Sequence, residues 1–232
     1  MNPNQLHHLA QPVVTPAHSS EASIQPGYHA TATKSTNWMV KLMEELQTCL
    51  QNLGSTVTDE QLERWTCLVY ESMSAPSRTF HTVQHVFDIS INCNDYQKIA
   101  AIFHDVIYYT VDGGLSYDQK KILNGVMSED QAGKVLLGDL TMDSDKHIAM
   151  VISIFGFSPG QELHPFHGLN EFLSAAVMVR CLREVLDLPD LARIVTIIDS
   201  TIPFRKSIAI QVEFPQKGAT SLVDCCLSLC AL

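Results

Sequence analysis

The sequence predicts an all-α fold, a single helical-bundle domain that follows a disordered N-terminal leader. Apolar residues recur at helical spacing in successive segments between about residues 38 and 200. Gly, Pro and N-capping residues separate these segments. No stretch shows the sustained alternation of apolar and polar residues that is typical of a half-buried strand. We therefore predict one α-helical domain over residues 37–206.

The two ends of the chain differ from this domain. Residues 1–36 are rich in Pro, Ser, Thr, Ala and His and show no apolar periodicity, which predicts the disordered leader. Residues 207–232 contain a strand-like stretch and a cysteine-rich apolar end without capping signals. Their structure is not predictable from the pattern, and a truncation or an altered reading frame would account for this tail.

The first two helices have clear boundaries. "WMVKLMEELQTCLQNLG" places Trp38, Leu42 and Leu46 on one face and ends at Gly54. "TDEQLERWTCLVYESM" begins at Thr58 or Asp59 as N-cap and is broken by Ala75-Pro76.

Further helices are predicted along the rest of the domain. The segment at about 95–110 is apolar nearly all round and is therefore expected to be buried. Gly113-Gly114 predicts the turn that follows it. The predicted segments are about 79–92, 95–110, 116–127, 128–137, 143–155, 169–187 and 189–200.

Composition excludes several classes of function. The chain has 232 residues, 46% of them hydrophobic, which suffices for one good core. Its formal net charge of -10 argues against extended nucleic-acid binding and against an anionic membrane surface. The seven cysteines form no CxxC pair, and there is neither a secretory signal nor an apolar run of membrane-spanning length. We expect a cytoplasmic protein with reduced thiols.

A pair of histidines four residues apart suggests one half of a metal site. In "SRTFHTVQHVFDI", His81 and His85 would lie on one side of the predicted helix, beside its apolar stripe. The pair lacks the glutamate of the HExxH zinc-protease motif. Such a pair alone is more often structural than functional.

A second motif strengthens the metal hypothesis. In "KIAAIFHDVIYY", His104 and Asp105 interrupt an otherwise apolar, buried helix. An unpaired carboxylate there would cost several kcal/mol, and the nearest cation, Lys98, lies almost two turns away. A divalent cation would satisfy the doublet together with His81 or His85. A ligand set of His and carboxylate without Cys favours Mn, Mg, Fe, Co or Zn.

Taken together, "RTFHTVQH" and "IFHDVIYY" resemble the HD superfamily of metal-dependent phosphohydrolases, in particular its small bacterial predicted HD phosphohydrolase type. The resemblance covers about residues 38–205. It implies an α-helical bundle that binds one or two divalent metals and hydrolyses a small phosphate ester or nucleotide. It also implies that His81, His104 and Asp105 are metal ligands. His85 matches the second histidine of the motif and is a less certain ligand.

The resemblance suggests further site residues. Arg78 matches the motif's arginine, which either contacts substrate phosphate or pairs with an acidic side chain. Asp199, in "IVTIIDSTIPFR", is the candidate for the family's late aspartate ligand, although similar proteins continue to a later aspartate. Arg205 is either an anion contact or part of a structural ion pair. Asp112 and Asp118 are either solvated loop acids or residues that bind an outer metal or help with proton transfer.

The implied mechanism is hydrolysis by metal-activated water, with Asp105 as ligand and possible orienting group for the water. His164 and His167 are expected in a loop, either as a lid over the site or as plain surface. Two alternatives remain open: a catalytically impaired module that binds a metal or nucleotide, and a di-iron oxygenase.

Overall fold

The computed structural model describes residues 37–138, 140 and 144–203. The predicted leader, the tail and Arg205 lie outside the described residues. The described part contains eight α-helices, one 3₁₀ helix and one small antiparallel sheet. The helices are α1 Trp38–Asn52, α2 Asp59–Met73, α3 Val83–Ile89, α4 Asp95–Phe103, α5 Tyr117–Ile122, α6 Lys146–Phe155, α7 Leu169–Leu182 and α8 Leu188–Asp199. The strands are β1 Met127–Glu129, β2 Val135–Leu137 and β3 Glu162–Leu163, and the 3₁₀ helix is Pro165–His167.

The predicted all-α class is confirmed, and local sequence explains where several helices begin. Thr58, Asn94 and Ser116 each accept a hydrogen bond from the backbone N–H three residues on. In each case the glutamine at that third position bonds back to the backbone N–H of the capping residue. These capping boxes satisfy N–H groups that the first helical turn leaves without partners.

The core lies where α4 packs against α1, α7 and α8, with α6 behind α7 and α8. The α4 residues Ile99 to Phe103 are all buried, as predicted for this apolar segment. Nearly every residue of α7 is buried as well. Fully buried Phe103, Phe155 and Phe172 each add about 1.5–3 kcal/mol of apolar stabilisation. The C-terminal end of α4 is thereby fixed inside the bundle.

The predicted helix at 128–137 is wrong, because this segment forms a β-hairpin. Strands β1 and β2 pair antiparallel, with Met127 opposite Leu137, and β3 extends the sheet. The turn is stabilised by the side chain of Asp130, which accepts hydrogen bonds from the N–H groups of Ala132 and Lys134. Gly133 adopts a φ of 79°, a conformation that side chains disfavour. These turn contacts replace the helical hydrogen bonds.

The two helices that carry the motifs are shorter than predicted. Helix α3 begins at Val83, so His81 lies in the bend before it rather than on its face. Helix α4 ends at Phe103, so His104 is its C-cap and Asp105 lies in the following turn. The two motifs therefore meet through chain segments at helix ends.

The remaining predicted helices agree in position but not in every boundary. Helix α5 ends at Ile122 and α7 at Leu182, both before the predicted ends. Among the described residues, no helix combines the length and apolar character needed to cross a membrane.

Candidate metal centre

Three potential ligands converge where the turn after α4 meets α3. One ligand atom each from His85, His104 and Asp105 lies within 4.8 Å of the other two. His104 is fixed by the end of the buried helix α4, and His85 by the first turn of α3. The grouping joins the two sequence motifs, as predicted.

The orientation of His104 is set by the backbone of its own helix. Its Nδ1 lies 2.8 Å from the carbonyl oxygen of Ala101. A carbonyl can only accept, so Nδ1 carries the hydrogen in this contact. Nε2 then faces Asp105 Oδ2 at 2.8 Å. A neutral imidazole would place two acceptors against each other here, so the pair requires a proton or a metal cation between or beside them.

Asp105 has a buried carboxylate oxygen that lacks a hydrogen-bond partner. Although Oδ2 lies close to His104, the contact is an ion pair without the alignment of a hydrogen bond. Burial by itself raises the pKa of Asp105, but His104 and then His81 and His85 outweigh it and lower the pKa to about 2. The site therefore strongly favours a charged carboxylate.

The pKa values of the buried His104 and the half-buried His85 are shifted in opposite directions. Burial lowers the pKa of His104, but the charge of Asp105 and the Ala101 carbonyl outweigh burial, so its pKa is raised. Burial lowers the pKa of His85, and neighbouring His104 lowers it further. His85 is therefore the more readily available neutral nitrogen ligand.

His81 lies beside the cluster rather than within it. Its Nε2 is 3.8 Å from Asp105 Oδ2, and its ring makes edge contacts with His85 and Tyr108 at centroid distances of 5.7 and 4.9 Å. The sequence motifs indicated His81 as a stronger ligand candidate than His85, whereas the structure groups His85 with the doublet. Helix α3 starts later than predicted, so His85 lies in its first turn and His81 lies before it.

The open side of the site is aromatic. Phe80 is 51% exposed and lies 5.1 Å from the His81 ring and 5.0 Å from the His85 ring, centroid to centroid. The His81 side chain is 30% exposed, against 10% for His104. A molecule entering from solvent would therefore meet Phe80 and His81 before the doublet.

Arg78 is engaged in a buried ion pair, one of its two predicted roles. Its guanidinium binds Asp112 through two hydrogen bonds of 3.0 and 2.5 Å. It also donates to the backbone carbonyl oxygens of Asp105 and Val106. Because the side chain is 0% exposed, this conformation gives it no direct contact with substrate. Asp112, considered above as a solvated acid or an outer-metal ligand, is instead the partner of Arg78.

The other predicted residues do not join the cluster. Asp199 is the last residue of α8 and is not grouped with the three ligands. Asp118 lies exposed in the first turn of α5. His164 and His167 are exposed around the 3₁₀ helix, with ring centroids 5.3 Å apart. Arg205 lies outside the described residues.

One half-buried carboxylate, which the charges of the doublet affect, was not predicted. Glu171, in the first turn of α7, has a buried Oε2 without a hydrogen-bond partner. Burial raises the pKa of Glu171, and the charge of Asp105 raises it further. A hydrogen bond from its own backbone N–H and the charge of His104 lower it, but the pKa remains raised. The available sequence signal was an acid at the start of the apolar run "GLNEFLSAAVMVRCL", which also fits an ordinary favourable contact with the helix dipole.

The residues present fit a divalent cation. Two imidazole nitrogens and a carboxylate oxygen form a donor set used by Zn, Mn, Fe and Co, and Asp105 Oδ2 is buried without a hydrogen-bond partner. No protein-family model, curated protein or solved structure matches the chain. The resemblance to the HD superfamily thus rests on the motif residues alone.

Proposed function

We propose that this chain is a metal-dependent hydrolase of a small phosphate ester or nucleotide. The observation that carries the proposal is the 2.8 Å contact between His104 Nε2 and Asp105 Oδ2, in a geometry where His104 Nδ1 is already committed to Ala101. Two buried acceptors held together by the fold are suited to share a cation. The resemblance to HD phosphohydrolases supports the same chemistry.

His85, His104 and Asp105 would hold the cation. A divalent metal bound there lowers the pKa of a bound water and neutralises phosphoryl oxygens. The protein contributes orientation: Ala101 fixes the ring of His104, and Arg78 fixes the backbone of Asp105. Arg78 is thus proposed as a positioning residue in place of a substrate contact.

His81 is proposed to contact the substrate. It is more exposed than His104 and borders Asp105 on the open side of the site. An imidazole at this position could donate a hydrogen bond to a phosphoryl oxygen or transfer a proton to a leaving group. Phe80, exposed beside it, would exclude water from one side of the bound ester.

A non-catalytic module that binds metal or nucleotide is the second candidate. The observation that favours it is that, among the described residues, only His85, His104 and Asp105 bring ligand atoms within 4.8 Å of one another, and neither Asp199 nor Glu171 joins them. A centre that lacks a further carboxylate would bind the metal more weakly, and the protein could then bind metal without turnover.

The two candidates differ in turnover. Purified protein loaded separately with Mn, Mg, Fe, Co or Zn should be assayed against phosphate monoesters, phosphodiesters and nucleotides. We expect metal-dependent release of phosphate or nucleoside that is lost in Asp105→Asn and His104→Ala, and retained in the exposed control Asp118→Asn. Undiminished activity in the first two variants would refute the proposal. Stoichiometric metal without turnover would favour the binding module, and iron-dependent oxygen consumption would indicate an oxygenase.

A further inference from the structure

We propose that Glu171 is a second carboxylate of the metal centre, supplied by α7. This inference rests on the proposed metal centre and adds to it a residue that neither motif contains. It also assigns to α7 the acidic contribution that was expected from the end of α8.

Two hydrogen bonds place α7 against the segment that follows the doublet. Ser174 Oγ accepts from the backbone N–H of Ile107 at 3.0 Å, and Asn170 Oδ1 accepts from that of Tyr109 at 3.0 Å. Asn170 and Ser174 are four residues apart and share one helical face. Glu171 precedes Ser174 by three residues, so the two are neighbours on the surface of α7. The contacts of α7 with Ile107 and Tyr109 bring Glu171 close enough for the charges of Asp105 and His104 to act on it.

The surroundings of Glu171 call for a cation. Its Oε2 is buried and makes no hydrogen bond, whereas Asp105 Oδ2 forms ion pairs with His104 and His81. The like charge of Asp105 acts on Glu171, and the buried Oε2 loses hydration without a compensating hydrogen bond. Arg78, the buried guanidinium beside Asp105, is already bound to Asp112 and to two carbonyl oxygens. A divalent ion would relieve the repulsion and the desolvation together.

The ordinary explanation for an acid in a first helical turn does not account for this burial. A favourable contact with the helix dipole is available to an exposed side chain and is retained in water. Glu171 is instead half-buried, and its Oε2 is fully shielded from water without a hydrogen-bond partner. A shielded carboxylate oxygen of this kind is expected at a ligand position whose ion is removed.

The test uses Mn²⁺ alone as the probe and metal binding as the readout. Full-length protein is stripped with a chelator and titrated with Mn²⁺, followed by calorimetry or by loss of the free-ion electron paramagnetic resonance signal. We expect Glu171→Gln to weaken Mn²⁺ binding by roughly 10–100-fold. The matched control Glu184→Gln removes an exposed acid just beyond α7 and should bind like the wild type.

The thermal midpoint of the metal-free protein distinguishes a metal-ligand role of Glu171 from a structural role. Removing a buried charge without a partner should leave the thermal midpoint of metal-free Glu171→Gln unchanged or higher, whereas loss of a structural contact would lower it. If Glu171→Gln is poorly folded, Glu171→Asp keeps the charge on a shorter stem and should still weaken Mn²⁺ binding.

The outcomes distinguish this inference from the proposed function. Wild-type affinity in both Glu171 variants, with binding lost in His104→Ala, would overturn the role of Glu171 and leave the metal centre intact. A lower metal-free midpoint with unchanged Mn²⁺ affinity would also overturn it. Failure of the wild type to bind Mn²⁺ would overturn both proposals.

Discussion

At the scale of single residues, the centre depends on two side chains that are adjacent in sequence and opposed in charge. His104 uses Nδ1 to bind its own helix and presents Nε2 to Asp105. Without metal, the pair is stabilised when His104 is protonated and Asp105 is ionised. The pKa of His104 is raised above its ordinary 6.5, and that of Asp105 is lowered from 3.8 to about 2.

These shifts predict how the stability of the metal-free protein depends on pH. The contribution of His104 is complete below pH 6.5 and is lost as pH rises through its raised pKa. The contribution of Asp105 is complete above pH 3.8 and is lost as pH falls toward 2. The pair therefore stabilises the fold most between these limits. Urea unfolding in chelator, measured from below pH 3.8 to above pH 6.5, should show both declines in the wild type.

The variant His104→Gln serves as the comparison, since glutamine fills similar space without titrating. Between pH 3.8 and 6.5, we expect the free energy of unfolding of this variant to be lower than that of the wild type. Above pH 6.5, it should lack the decline that His104 causes in the wild type. Parallel pH profiles for the wild type and His104→Gln would contradict the charge state assigned to the pair.

Arg78 provides a second test at this scale. Its guanidinium is fully buried and its partner Asp112 is mostly buried. Arg78→Met leaves Asp112 and two carbonyl oxygens without their donor, and breaking such a pair typically costs about 3–5 kcal/mol. Denaturant unfolding should show this loss, and the double variant Arg78→Met with Asp112→Leu should recover part of it.

The exposed ion pair between Lys134 and Glu162 is the control for Arg78. Lys134→Met should unfold at nearly the wild-type midpoint, because water and salt screen that pair. A similar small effect for Arg78→Met would contradict a positioning role based on the buried pair.

At the scale of helices and strands, local signals predicted beginnings better than ends. The capping residues Thr58, Asn94 and Ser116 act within three residues of chain and can be recognised in the sequence. The early end of α4 and the late start of α3 coincide with Arg78 bonding to Asp105, 27 residues away. The hairpin after α5 was missed because its turn depends on Asp130 bonding two N–H groups around Gly133.

The docking of α7 gives a prediction for an element. Ser174→Ala would leave the buried N–H of Ile107 without its acceptor, at a cost of about 1–3 kcal/mol. Because this contact also holds the segment after the doublet, we expect weaker Mn²⁺ binding together with the loss of stability. Thr48→Ala, which removes an exposed hydrogen bond within α1, is the control and should alter neither property. Destabilisation with unchanged Mn²⁺ affinity would mean that α7 does not position the site.

At the scale of the whole molecule, the site lies where helix ends from distant parts of the chain meet. The sequence predicted His104 and Asp105 as ligands and His85 as a less certain one behind His81, because polar residues in an apolar context are visible without a structure; the structure groups His85 with the doublet. The sequence did not predict that Asp112 pairs with Arg78, or that the charges of the doublet act on Glu171. Both interactions depend on packing between separate elements. A net charge of -10 also means that an anionic substrate needs a local cation at the site.

The central claim is that His85, His104 and Asp105 bind a divalent metal. The most direct measurement is an anomalous difference map from crystals of the full chain grown with Mn²⁺. We predict one strong peak within coordination distance of His104 Nε2 and an oxygen of Asp105, with His85 as a further ligand and Glu171 on the same ion. A map from protein saturated with Mn²⁺ that shows no peak at these residues would contradict the account.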